Sequence, residues 1–157
     1  PLTVLDAYTG NMIIWKTLQN QHKDRTIRVL RIDKKPDRSG LYLIGENKKF
    51  LETIDVNRFD LIDLDAYGVP FDLLEILFQK QYKGWIVCTF IQTIHGGLPF
   101  RLLASLGYSE SMIRKIPSLF FRNGMQKMLA YLNRNGVESV TGYFLGRKNY
   151  FYFRRSS

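Results

Sequence analysis

A chain of 157 residues with 45% hydrophobic content carries one domain's worth of sequence and enough apolar side chains for a single core. Membrane insertion needs roughly 18 or more consecutive apolar residues; no run here approaches that, and the one cysteine, Cys88, excludes an internal disulfide. The net charge of +9 is uneven: residues 1–83 hold thirteen Lys and Arg against twelve Asp and Glu, a net +1, whereas residues 84–157 hold ten against two, a net +8.

The first residues carry no secretory signal pattern, so a reducing, cytoplasmic setting with no membrane partner is expected. The chain starts almost directly on its first strand without an initiator Met; the amino terminus is expected to be trimmed, with a short leading helix missing.

Leu2-Thr-Val-Leu5 reads as that first strand, ending in Asp6-Ala-Tyr8-Thr-Gly10-Asn-Met12. Ile13, Ile14, Trp15 and Leu18 then continue with helical spacing toward His22. A strand, tight turn and helix of this kind lets backbone amides face a ligand, and Gly10 leaves room by having no side chain. Thr26–Ile32 alternates as a second strand and stops at Asp33, at the distance where a dinucleotide-type βαβ unit places an acid on ribose hydroxyls. A plain loop Asp is the alternative. Leu41–Ile44 is a third short strand, followed by Gly45-Glu46-Asn47 and a helix carrying Phe50 and Leu51.

Phe59, Leu61, Ile62 and Leu64 form a short buried strand, which Gly68 and Pro70 break before the helical run Phe71–Phe78. Asp65 and Tyr67 therefore fall on a loop at the carboxyl end of a strand, the edge where open α/β sheets bind ligands. A helix-capping Asp is the plainer alternative, but Asp60, Asp63, Asp65, Tyr67 and Gly68-Val-Pro70 crowd one edge. Trp85–Ile91 is a near-continuous apolar strand suited to the interior of a parallel sheet, and it leads into His95, a substrate contact or a structural histidine. Helical material follows from Leu98 to Leu106 and from Ser111 to Leu132, broken near Pro117 and Asn123-Gly124 and stopped at Gly136. Val137–Leu145 and Asn149–Phe153 then read as an antiparallel hairpin turned at Gly146-Arg147-Lys148. Alternating strand and helix closed by a hairpin predicts an α/β fold: a single Rossmann-like domain over residues 1–157, its sheet mainly parallel with helices on both faces and a C-terminal antiparallel hairpin.

These residues resemble a family. Val4-Leu5-Asp6-Ala-Tyr8-Thr-Gly10-Asn-Met12 looks like the first motif of class I S-adenosylmethionine-dependent methyltransferases, in the aromatic-x-Gly-x-Gly form of nucleic-acid amino-methyltransferases, with Met12 where the second Gly usually stands. Asp63-Leu-Asp65-Ala-Tyr67-Gly68-Val-Pro70 is similar to the fourth motif of enzymes that methylate an exocyclic amine of guanine in tRNA, with Ala66 in place of the usual Pro. The resemblance implies S-adenosylmethionine as cofactor and no metal. It also implies that Asp6 and Gly10 line the pocket for the cofactor's amino-acid end, with Tyr8 beside them, that Asp33 binds its ribose, and that Glu46 or Asn47 lies near its adenine. Asp65 would hold the target amine while also bordering the cofactor, and Tyr67 would stack on the base. Methyl transfer needs an amine lone pair aimed in line at the sulfonium carbon, so positioning carries most of the catalysis. A carbon-methylating enzyme is disfavoured, because its nucleophilic cysteine needs a loop and Cys88 lies inside a strand.

Arg and Lys of the carboxyl half are interleaved with Phe120, Phe121, Tyr131, Tyr143, Phe144, Tyr150, Phe151, Tyr152 and Phe153. That pattern suits a partner of phosphates and bases, and RNA or DNA is expected to meet Arg114, Lys115, Arg122, Lys127, Arg147 and Lys148. A solvated basic face around core aromatics is the alternative. With no added recognition domain, substrate choice is expected from this half or from the second subunit of a homodimer. Two other functions stay open: a methyltransferase of a small molecule or protein, and a silent relative that binds nucleic acid or a partner.

Overall fold

The computed structural model describes residues 1–9, 13–35, 41–93 and 96–156. Strand β1 (Leu2–Asp6) is followed by helix α1 (Ile13–Gln21), β2 (Ile27–Asp33), β3 (Leu43–Ile44) and α2 (Asn47–Thr53). Next come β4 (Leu61–Leu64), α3 (Phe71–Gln79) and β5 (Trp85–Ile91). Helices α4 (Phe100–Ser105), α5 (Glu110–Lys115) and α6 (Gly124–Arg134) precede the closing hairpin of β6 (Thr141–Leu145) and β7 (Lys148–Phe153).

The strands form one seven-stranded sheet in the order β3-β2-β1-β4-β5-β7-β6. Strands β1 to β5 run parallel, while β7 is antiparallel to β5 and to β6. The chain moves outward from β1 through β2 to β3 and then returns to the far side of β1 as β4. That reversal opens a crevice at the carboxyl ends of β1 and β4.

Register sorts the two faces. Leu5, Ile62 and Ile86 align across the sheet with Phe153, and Leu64 and Cys88 align with Phe151. All are buried. Against this face pack α3 and α6, through Phe71 and Tyr131 with ring centroids 5.0 Å apart and Phe78 and Phe153 at 6.4 Å. The other face carries Asp6, Asp63 and Val87 in register with Tyr152. There α1 lays Trp15 over the middle strands, its indole Nε1 donating to Asp63 at 3.0 Å. Helices thus occupy both faces.

Two elements differ from the sequence expectation. The strand expected from Val137 begins only at Thr141, because Val137 belongs to the stop of α6. Gly136 sits at φ +81°, its N–H donates to Asn133, and Val137 N–H reaches back to Leu132. That is a Schellman-type ending, and its apolar contact takes Val137 into the core. The third strand is only Leu43–Ile44, with Leu41 95% exposed. The helical region 111–132, by contrast, divides as expected into α5, a 3-10 turn Pro117–Phe120 and α6, with its breaks at Pro117 and Asn123-Gly124.

Candidate functional site

The carboxyl ends of β1 and β4 bring two acids side by side. Asp6 and Asp63 are register partners on adjacent strands, and both are almost fully buried. Burial is the main reason that Asp6 is pushed up to about 6, opposed by the Tyr8 N–H that donates to its Oδ1 at 3.1 Å. Burial likewise pushes Asp63 up to about 7, with the neighbouring charges of Asp6 and Asp65 adding to the effect and the Trp15 bond opposing it. Sequence reasoning passed over Asp63 as a ligand-facing group. Its signal was an acid one position before a strand end, matching Leu5-Asp6 in Ile62-Asp63; its bond to Trp15, 48 residues away, was not readable.

Beyond β4 the chain turns at once. Ala66 N–H donates to the Leu64 carbonyl at 2.7 Å, closing a three-residue turn with Asp65 at its apex. A proline at 66 could not donate this bond. Asp65 stands exposed at the strand end, and one carboxylate oxygen accepts from the Thr89 hydroxyl of β5 at 2.5 Å. Tyr67 follows at the loop tip, 97% exposed. Gly68, at φ +136°, then lets the chain fold back so that its carbonyl accepts the Ile91 N–H at 2.7 Å. Both ends of the loop are thereby tied to β5, while Tyr67 projects into solvent.

On the β3 side of this loop lies a cleft of about 280 Å³, lined by Tyr8, Lys34, Glu46, Asn47, Pro70 and Asp72 among others. Asn47, the first residue of α2, is buried there, and its Oδ1 has no hydrogen-bond partner among the described residues. Burial raises the Tyr8 hydroxyl above its ordinary value, and the Asn47 side chain opposes this. Glu46 is exposed at the rim, 3.9 Å from Lys34 and 4.0 Å from Lys49. Asp33 ends β2, and its Oδ1 accepts the Lys35 N–H at 3.0 Å. Asp6, Tyr8, Asp33, Glu46, Asn47, Asp65 and Tyr67 therefore all follow carboxyl strand ends or the helix beside them. Gly10, Met12 and His95 lie outside the described residues. A larger, mostly apolar cleft of about 660 Å³ lies at the opposite end of the strands, lined by Leu2, Trp15, Thr26 and Leu61. It shares Trp15 with the surroundings of Asp63 but takes in none of the acids at the carboxyl strand ends. Cys88 is fully buried in β5 and its thiol is pushed well up by burial, which leaves no thiolate for attack.

The six cations expected to meet nucleic acid fall in two places. Arg114, Lys115, Arg122 and Lys127 belong to α5, α6 and the segment between them, on the helical side of the molecule. Arg114 is paired with Glu110 at 2.7 Å, and Lys127 Nζ donates to the Arg122 carbonyl at 3.3 Å. Arg147 and Lys148 lie at the hairpin turn, on the Asp65 side. The Lys148 ammonium is raised chiefly by its bond to the Tyr150 hydroxyl, with the negative charge of Asp65 contributing less.

No family model matches the chain, and no curated protein matches it. Solved structures do. A SAM dependent methyltransferase from Archaeoglobus fulgidus aligns with a TM-score of 0.61 at 11% identity, over 98% of this chain and 86% of that one. The ribosomal protein L11 methylase from Lactobacillus delbrueckii subsp. bulgaricus gives 0.54 at 19% identity, over 100% and 71%. A variant of the 16S rRNA (adenine(1408)-N(1))-methyltransferase from Catenulisporales acidiphilia gives 0.51 at 12%, over 99% and 85%. Together with the strand order and the antiparallel close, these likenesses show that the chain has the Rossmann-like fold of class I S-adenosylmethionine-dependent methyltransferases.

Proposed function

We propose that the chain is an S-adenosylmethionine-dependent methyltransferase acting on an exocyclic amine of a base in RNA or DNA. The observation that carries this reading is the Asp65–Tyr67 loop: a carboxylate fixed by Thr89 at the strand end, two residues from a ring presented to solvent. An exocyclic amine conjugated to a base is a poor nucleophile. Asp65 would accept its hydrogens and offset the positive charge that grows on nitrogen, an interaction strongest in the transition state. Tyr67 would lie against the base.

The residues at the strand ends fit the cofactor. When bound, S-adenosylmethionine supplies the electrophilic methyl group. The buried Asp6 and Asp63 carboxylates match a ligand bearing both a sulfonium and an ammonium, because a neighbouring cation returns them to the ionised form that burial disfavours. Asn47 Oδ1, buried in the 280 Å³ cleft without a partner among the described residues, is an acceptor suited to an adenine amine, and Asp33, at the end of β2, would accept from ribose. Replacing Asp33 by Ala should weaken cofactor binding by about 1.5–3 kcal/mol, the range for hydrogen bonds to a charged group; equal affinity of variant and parent in calorimetry would contradict its placement.

The deciding experiment is methyl transfer from labelled cofactor to total tRNA, rRNA, DNA and protein, with digestion of the labelled product. Label on a base amine is the expected result. Label on protein alone, or cofactor binding without any transfer, would overturn the substrate assignment, and no cofactor binding would overturn the whole reading.

A further inference from the structure

The outer strands β5, β7 and β6 turn their two faces to different surroundings. Cys88, Phe90, Phe151 and Phe153 point into the core beneath α3 and α6. On the opposite face, Trp85, Tyr143, Tyr150 and Tyr152 stand 38–78% exposed, and no helix among the described residues covers them. Tyr143 is the register partner of Tyr150, and Trp85 meets Tyr152 edge-on with centroids 5.8 Å apart. The rings thus form one row.

Cations lie along this row. Lys148 Nζ is 4.9 Å from the Tyr150 ring centre, and Arg154 Cζ is 5.3 Å from that of Trp85. Beyond Trp85 and Tyr152 the row runs into a polar groove of about 570 Å³ bordered by Lys83 and Arg154, with Glu138 its acid. At its other end, Tyr150 is the register partner of Thr89, whose hydroxyl holds Asp65. The row starts, therefore, one strand away from the loop assigned to chemistry. From Lys148 to Arg154 it extends about 20 Å at roughly 3.4 Å per residue.

We infer that this sheet face is a binding platform for single-stranded nucleic acid, leading a strand from the Lys83–Arg154 groove across Trp85, Tyr152 and Tyr150 to the Asp65–Tyr67 loop. The placement rests on the nucleic-acid reading above. Charge and ring chemistry select the occupant. Rings exposed on a flat sheet accept any base by its π-face, and interleaved cations follow the phosphates. Lys148, Arg154 and Lys83 border the row against the single acid Glu138 of its groove, so an acidic polymer is attracted along it. A duplex hides its base faces and would gain only the phosphate contacts.

Fluorescence anisotropy with a labelled oligouridine and an oligothymidine of ~10 nucleotides, beside a duplex of equal length, tests this on the intact chain. The parent should bind the single strands more tightly than the duplex, and comparison of the two single strands separates RNA from DNA. Tyr150→Ala, Tyr152→Ala and Trp85→Ala should each weaken binding roughly five- to 100-fold, while Tyr150→Phe, which keeps the ring, stays close to the parent. Unchanged cofactor affinity serves as the control for folding. Nucleic-acid binding indifferent to all three Ala variants would overturn the platform and leave the substrate class standing. No binding of any nucleic acid by the parent would overturn both. Duplex binding as tight as single-strand binding, or Ala variants that turn a dimer into a monomer without changing nucleic-acid affinity, would also overturn it, the latter marking the face as a protein interface.

Discussion

Asp65 and Asp63 sit two positions apart in different surroundings, because one is past the strand end and exposed and the other is inside the strand and buried. Asp65→Asn keeps shape and loses charge; it should fold and bind cofactor like the parent but slow methyl transfer by roughly 10²–10³-fold, the scale for losing one preorganised electrostatic contact. Turnover at the parent rate would remove Asp65 from the mechanism. For Asp6 and Asp63 the prediction concerns pH. Their folded values, about 6 and about 7, lie above the ordinary carboxylate value of 3.8. Their contribution to stability is therefore fully present below about pH 4 and is lost as pH rises through 6 to 7. A cationic ligand reverses the preference, so binding should release protons and the affinity for S-adenosylmethionine should rise between about pH 5.5 and 8. Calorimetry at pH 6 in two buffers of different ionisation enthalpy measures that release; a value of zero would sink the idea, and Asp63→Asn should flatten the pH dependence. The sequence exposed Asp65 through its position after an apolar run. It hid the role of Asp63, since only the β1–β4 register and a distant indole make that acid buried, paired and responsive.

The loop from Leu64 to Pro70 illustrates how an element holds such residues in place. Its geometry depends on the Ala66 N–H, on the Gly68 carbonyl bonded to Ile91, and on the positive φ of Gly68. A Cβ at Gly68 would meet nothing within 4 Å, so space is not the constraint there; conformation is. Gly68→Ala should cost about 1–3 kcal/mol of stability, the range for a residue held in a sparsely populated backbone region, read as a shift in denaturation midpoint. A stability equal to the parent's would mean that the loop adopts another path. Element existence was legible from periodicity and breakers: β5 was read to its ends, Trp85 and Ile91, and Pro117 marked the helix break. Strand starts were less legible. Val137–Val140 has the composition of a strand, but its first member is taken by the end of α6, a tertiary preference that local pattern does not carry.

At the scale of the whole molecule, the alternation of strand and helix with a final hairpin was enough to predict the Rossmann-like sheet, and the excess of cations in residues 84–157 was visible as a count. What the count could not give was its division between two sides of the protein. The sheet buries Phe151 and Phe153 on one face, and the alternation of β7 thereby sends Lys148, Tyr150 and Tyr152 to the other, toward Asp65. Arg114 ends up on α5 beside its own Glu110. Phosphates approaching the Asp65–Tyr67 loop should consequently meet Lys148, and affinity for a single strand should fall with salt at a slope of about −0.7 per contact. Lys148→Gln should reduce that slope by about 0.7. Arg114→Gln should leave it unchanged, because Arg114 lies on α5, away from the row and paired with Glu110, and would neutralise no phosphate there. Anisotropy titrations across a range of salt concentrations compare the three proteins directly. If Arg114→Gln reduced the slope and Lys148→Gln did not, the strand would run over the helical side and the sheet face would have no part in guiding it.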